Sequence, residues 1–364
     1  MNKLAALLIA VILHGPFHPC DAQNPQELKL KDFRPQSIYK VPVTILKKAK
    51  FPAVDMHSHD YAKTPEEVVK WVKTMDGAGI EKTIILSGAI GSRFDSIYSK
   101  YAVHGNRFEV WCGFELAGYD KPGWSEKAVK ELERCVKMGA RGVGELSDKG
   151  FGLRYPGGFG PHIDDPIMKP LLKRCGELKI PINIHVAEPL WMYLPMDSTN
   201  DGLMNAYTWK IDSTQKARPD DPVGRGILGH AALIKTLDKA VGDNPNTTFV
   251  ACHYANCEYD LSILGSLFDK HKNLYADASA RFGETSPIPR YMAAFYEKYQ
   301  DRLLYGTDNI PDPDMYEITF RIMETLDEHF YYYRFYHWPS YGWGLKDPIL
   351  KKVYQGNPKM VLKK

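Results

Sequence analysis

From residue 51 onwards, short apolar runs alternate with amphipathic ones. The first run, Phe51-Pro-Ala-Val-Asp-Met-His-Ser-His59, joins extended-prone Ala53 and Val54 to two histidines, and Pro52 suits a strand entry. Ile80–Leu86, Phe108–Leu116, Arg141–Leu146, Ile180–Val186, Thr247–His253, Asn273–Ala278 and Asp301–Asp308 are further short apolar runs of strand character. Between them lie helical patterns. Thr64-Pro-Glu-Glu67 supplies an N-cap, a proline at the first helical position and acid in the first turn, ahead of an apolar stripe through Val68, Val69 and Val72. Ser125 caps a helix reaching Met138, and Asp164 or Asp165 caps one reaching Leu178. Ala232–Val241, Leu261–His271 and Pro289–Tyr299 complete the set.

This strand–helix alternation predicts parallel strands joined by right-handed crossovers, which close most simply into an α/β (β/α)8 TIM barrel. A doubly wound open sheet competes, but no glycine-rich nucleotide turn follows the first strand. Two connections are long, 147–164 and the loop after strand five from Ala187 to about His230. The second carries Trp191, Tyr193, Tyr207 and Trp209, so we read it as a wall or lid over a site.

Composition narrows the class. With 44% hydrophobic and 25% charged residues, the chain can bury a sizeable core. Its formal net charge of +3 makes no electrostatic case for nucleic acid or an anionic membrane surface. At the N-terminus, Lys3, the apolar run Leu4–Leu13 and small residues before a cut after Ala22 read as a signal peptide over 1–22. The expected organisation is that leader, an N-terminal arm over 23–50 and one barrel domain over 51–364, exported to a periplasm or secreted. After cleavage nothing remains to engage a membrane, and a homo-oligomer stays open. Five cysteines would be left, Cys112, Cys135, Cys175, Cys252 and Cys257, an odd number that argues against a disulfide framework.

The chemistry gathers at strand ends. Strand one ends in His57 and His59, which a period of two sets on one face roughly 6–7 Å apart. Strand four ends near Glu145, strand five in His185, strand six in His253 and strand eight in Asp308. Singly, each has a bland reading as a core histidine, a strand-end cap or a helix N-cap. Together they fall at the end of a barrel where active sites sit. Imidazole and carboxylate donors suit zinc, and also manganese, iron or nickel.

The Asp-x-His-x-His strand, the Gly-Glu strand end, Ile-His at strand five, Cys-His at strand six and Gly-Thr-Asp at strand eight resemble the amidohydrolase superfamily. More narrowly they resemble its amidohydrolase-related branch, which also contains decarboxylases. The ending Pro348-Ile-Leu-Lys-Lys-Val-Tyr-Gln-Gly-Asn357 is similar to that branch's closing helix and turn. The resemblance implies His57, His59, His185 and Asp308 as ligands of one divalent metal, with zinc favoured. It implies His253 as a residue that polarises substrate or holds a second metal, and Glu145 as a bridge if two ions bind. The expected reaction on a small-molecule substrate is metal-assisted hydrolysis of an amide, ester or lactone. Asp308 serves there as general base and His253 as donor to the developing oxyanion. Asp55 is a candidate to orient an imidazole from behind. Candidates for substrate contact are Glu188, Trp191, Tyr254, Arg281 and Arg154. The rival reading is a metal-dependent, non-oxidative decarboxylase of a small aromatic or unsaturated acid.

Overall fold

Eight strands form one parallel sheet in sequential order. They are β1 (Ala53–Ser58), β2 (Ile80–Ala89), β3 (Phe108–Cys112), β4 (Val143–Asp148), β5 (Ile182–Val186), β6 (Phe249–Ala251), β7 (Leu274–Asp277) and β8 (Leu303–Leu304). The structure, a computed structural model, describes residues 24–153, 159–204, 227–332 and 337–363. The run after β8 returns to β1: Met56 N–H donates to the Tyr305 carbonyl at 3.0 Å, and Asp308 N–H to the His57 carbonyl at 2.8 Å. First and last strands are thereby joined, and the alternation closes as the TIM barrel that the pattern predicts.

Local chemistry explains the elements. Strands covered on both faces read as continuous apolar runs, and β1 and β5 are buried throughout. The helix Pro65–Ala78 starts where the Thr64 hydroxyl accepts from Glu67 N–H and stops at Gly79, whose φ of 74° suits glycine. The lumen is filled by Val54, Met56, Ile84, Leu86, Trp111, Val250 and Leu304, with Val361 from the C-terminal helix. Burying side chains of this size contributes roughly 1.5–3 kcal/mol each. The lumen is therefore a packed plug, and polar chemistry is left to the rim. Gly306 has a packing reason: a Cβ there would sit 2.9 Å from the His57 Cβ, so only glycine lets the chain after β8 run this close to β1.

Strand boundaries differ from expectation: β4 continues to Asp148 rather than Leu146, and β6 keeps only Phe249–Ala251 of Thr247–His253. β2 continues to Ala89 rather than Leu86, and β3 stops at Cys112 rather than Leu116. β8 keeps only two ladder residues, because the run from Tyr305 onwards bonds across to β1 instead. Residues 24–35 form a separate small unit with one 3-10 turn, Leu30–Asp32. Further on, Thr44 N–H and Oγ1 both reach Asp327 at 2.7 Å, and Lys50 N–H donates to Glu324. Cys112, Cys135, Cys175, Cys252 and Cys257 are buried free thiols. No helix among the described residues is long and apolar enough to cross a membrane. The proposed leader lies outside the described residues.

Candidate metal centre at the carboxyl rim

The rim residues are positioned by strand ends whose own bonds are satisfied behind them. Asp55, one turn of the pleat before His57, accepts from His57 N–H at 3.2 Å, Thr307 N–H at 3.0 Å and the Thr307 hydroxyl at 2.7 Å. It thus staples β1 to the chain after β8 and touches no imidazole ring, which corrects its expected role. Burial pushes its carboxyl up to about 6 against these bonds.

Three histidines present the same tautomer. His57 Nδ1 faces Asp277 Oδ2 at 3.1 Å, His59 Nδ1 faces the Leu86 carbonyl at 2.9 Å, and His253 Nδ1 faces the Ser279 carbonyl at 2.8 Å. Carbonyls accept only, and Asp277 is ionised because the neighbouring His57 holds its carboxyl below the usual range against the desolvation cost of burial. Each Nδ1 therefore carries the hydrogen, and each Nε2 offers a lone pair to the rim. Nε2 of His59 lies 3.0 Å from Asp308 Oδ1 and 3.3 Å from Glu145 Oε2. Nε2 of His57 lies 3.7 Å and 3.8 Å from the same two oxygens and has no hydrogen-bond partner although fully buried. Nε2 of His253 lies 3.9 Å from Glu145 Oε1 and 3.8 Å from Asp308 Oδ2.

With the rings neutral, three imidazole lone pairs and two carboxylates converge with no donor between them. Acceptors alone do not close on one another unless a cation sits among them. Protons compete with a metal for that place: burial works against protonating His57 and His59, yet Asp277 and Asp308 hold His57 well above its ordinary range, and bonds to Asp308 and Glu145 raise His59 to about 9. Burial, Arg281 and the other histidines hold His253 well below its ordinary range, hence neutral. Burial raises the Glu145 carboxyl, but His185, His57 and His59 outweigh it and hold it well below. Two donor groups fit a metal ion, His57–Glu145–Cys252–His253 and His57–His59–Asp308, each with its donor atoms within 4.8 Å of one another. They share His57, so the donor set fits a divalent cation at one locus.

Other expected site residues take different places. His185 stands at the right strand end, but its Nδ1 donates to Glu145 Oε1 at 2.8 Å, and it belongs to neither donor group. Glu188 joins it at the rim, with Oε2 3.5 Å from His185 Nε2 and Oε1 2.5 Å from Lys149 Nζ. Trp191 is buried beside Met192, packed by Met196 and Leu203 in a satellite cluster. Tyr254 is fully buried with its hydroxyl 2.7 Å from that of Tyr296. Arg281 is 2% exposed, bonded through Nη2 to Asn256 Oδ1 and 3.6 Å from Glu258. The structure brings neither Trp191, Tyr254 nor Arg281 to the rim donors. Arg154 lies outside the described residues. The tautomer of His253 presents a lone pair on Nε2, so the oxyanion-donor role expected of it does not follow.

Three contributors were missed in the sequence. Asp277 accepts from His57, from His253 N–H at 3.0 Å and from Ser279 N–H at 3.2 Å, and it closes β7, whereas Glu145 lies inside β4, which runs on to Asp148. The same strand-end rule would have found it. Tyr61 donates to Asp308 Oδ1 at 3.3 Å, and no spacing signals that. Cys252, read as a small hydrophobe, donates to Asn183 Oδ1 at 2.9 Å and sits in one donor group.

The family model described as amidohydrolase matches residues 114–364, and the chain belongs to that family. No curated protein matches it. Among solved structures it is similar to an uncharacterized TIM-barrel protein from Bordetella bronchiseptica, at 14% identity and a TM-score of 0.53, covering 85% of this chain and 98% of that one. It is also similar to 2,6-dihydroxybenzoate decarboxylase from Rhizobium, at 16% identity and a TM-score of 0.54, covering 86% and 99%. A dihydroxybenzoic acid decarboxylase from Polaromonas sp. JS666, solved with bound manganese and 2-nitroresorcinol, matches at 16% identity and 0.52, covering 86% and 97%. At these identities the likeness is one of fold.

Proposed function

We propose that the protein is a metal-dependent hydrolase that cleaves an amide, ester or lactone in an uncharged part of a small molecule. Membership of the amidohydrolase family supports a metal-dependent enzyme. The observation that carries the finer reading is the charge of the rim: Glu145, Asp308 and Glu188 all border it as carboxylates held below their ordinary range, each against the cost of burial. Of the nearby cations, Lys149 pairs with Glu188 itself, and Arg281 lies behind the rim, bonded to Asn256 and 3.6 Å from Glu258. With a divalent ion and Lys149 counted, the three carboxylates leave the rim without net positive charge to hold a substrate acid, whereas a neutral carbonyl needs none. This disfavours decarboxylation, which needs the substrate acid anchored there.

His57, His59 and Asp308 would hold the cation, with Glu145 and His253 beside them. When bound, a divalent ion supplies Lewis acidity, polarising a carbonyl and lowering the pKa of water. Asp308 accepts the proton of the attacking water and returns it to the leaving group. Tyr61 donates to its Oδ1, which leaves Oδ2 turned towards His253. Burial keeps Tyr61 protonated, so it remains a donor to Asp308 throughout. We propose export as well, on the Lys3 and Leu4–Leu13 leader pattern.

The test pairs two assays on zinc- and manganese-loaded protein. Acid release is followed by pH-stat with panels of lactones, esters and amides, and CO2 release with hydroxylated benzoic acids. Acid release from a neutral substrate is the expected result; CO2 release alone would overturn the reading in favour of the lyase.

A further inference from the structure

Immediately after β6 the chain makes a left-handed turn in which His253, Tyr254, Ala255 and Asn256 have φ of 56°, 54°, 57° and 54°. None is glycine. Each L residue is disfavoured in that region, Asn least, and such a run persists only where surrounding contacts over-determine it. The turn is where His253 leaves the strand, so whatever holds it also aims that ring.

The holding contacts are few and buried. Asp277 accepts from His253 N–H at 3.0 Å at the start of the turn. At its end, Asn256 Nδ2 donates to the Val186 carbonyl at 2.9 Å and more weakly to Ala187 at 3.4 Å, the two residues directly after His185. Asn256 Oδ1 accepts from Arg281 Nη2, and the Asn256 carbonyl faces His230 Nε2 at 2.8 Å. Arg281 is itself fixed by the Ala280 carbonyl at 2.9 Å. One side chain therefore ties the end of β5 to the turn after β6. The rings these two elements carry, His185 and His253, stand 4.8 Å apart.

We propose that Asn256, gripped by Arg281, is a positioning residue that locks the left-handed turn and thereby sets the His253 imidazole against His185. Arg281 acts through Asn256 rather than on substrate. The inference rests on the hydrolase reading only in taking His253 as part of the working site.

The experiment reads ring geometry instead of turnover, so its failure is distinct from failure of that reading. Protein labelled with 15N-histidine is examined by NMR, with the His253 signal assigned by its loss in His253→Asn. Wild type should show His253 as the Nδ1–H tautomer. Asn256→Asp still accepts from Arg281 and tolerates left-handed backbone, yet donates nothing to Val186 and Ala187. It should lose or shift the His253 Nδ1–H resonance while leaving that of His59, bonded to Leu86, in place. Asn256→Ala should do the same, and adding Ala255→Gly, which makes the turn intrinsically favourable, should restore the signal. If Asn256→Ala fails to fold, Asn256→Asp decides. An unchanged His253 signal, or equal loss of the His59 and His253 signals, would overturn the proposal.

Discussion

Replacing Asp277 by asparagine is the sharpest single perturbation of this centre. The carboxylate accepts His57 Nδ1–H at 3.1 Å through Oδ2, and His253 N–H at 3.0 Å and Ser279 N–H at 3.2 Å through Oδ1. An amide keeps one acceptor and gains two donors. Turned with NH2 towards Oδ1, it confronts two backbone donors that cannot move. Turned the other way, it confronts the Asn183 amide, a long contact at 3.4 Å, and one ring that can respond by shifting its hydrogen to Nε2. The second arrangement costs less, and it removes the His57 lone pair from the rim. Loss of such an orienting partner typically costs 10–100-fold in metal affinity, or about 1.4–2.7 kcal/mol. A hydrogen bond to a charged group contributes about 1.5–3 kcal/mol, which brackets the same value. Complete burial of both partners argues for the upper half. The assay is the Zn2+ dissociation constant of Asp277→Asn against wild type, by competition with a chromophoric chelator, with circular dichroism as the fold control. Affinity within twofold of wild type in a folded variant would refute the role assigned to Asp277 and the ligand role of His57.

Two further expectations address stability and chemistry. Burial pushes the Glu258 carboxyl up to about 7, with Arg281 drawing it down and Glu284 pushing it further up. A folded value above the ordinary 4.5 means that the folded chain holds this proton more tightly than the unfolded one. Its contribution is thus present below pH 4.5 and lost as pH rises through about 7. Glu258→Gln should flatten the fall in melting temperature across that window, and an identical slope would contradict the assignment. Asp308→Asn should fold normally yet lose about 10²–10⁴-fold in hydrolysis by pH-stat, and normal turnover would remove Asp308 from the role of base.

The barrel was legible because closed parallel strands are buried on both faces, so β5 and β6 stand out as largely apolar runs without help from tertiary context. His57, His59, His253 and Asp308 were legible for a related reason: each stands at the carboxyl end of such a run, and barrel closure carries those ends to one rim, with Glu145 reaching it from inside β4. Side-chain direction beyond a strand was not legible. Tyr254 and Arg281 follow strand ends only one or two residues further on than His253 does, but the left-handed turn swings Tyr254 towards Tyr296, and Arg281 turns inward to Asn256. No periodicity encodes that turn, since its residues are ordinary L amino acids held by distant partners. Trp191 fails similarly: an aromatic in a long loop suggests a ligand wall, yet here it is the core of its own small cluster.

Metal content per chain after exhaustive dialysis, in wild type and in His59→Ala, bears most directly on the convergence of imidazoles and carboxylates around a cation. Wild type should retain a divalent transition metal in stoichiometric amount, and His59→Ala should lose most of it while keeping its fold by circular dichroism. A wild-type protein that retains none, or a variant that retains as much, would contradict the account.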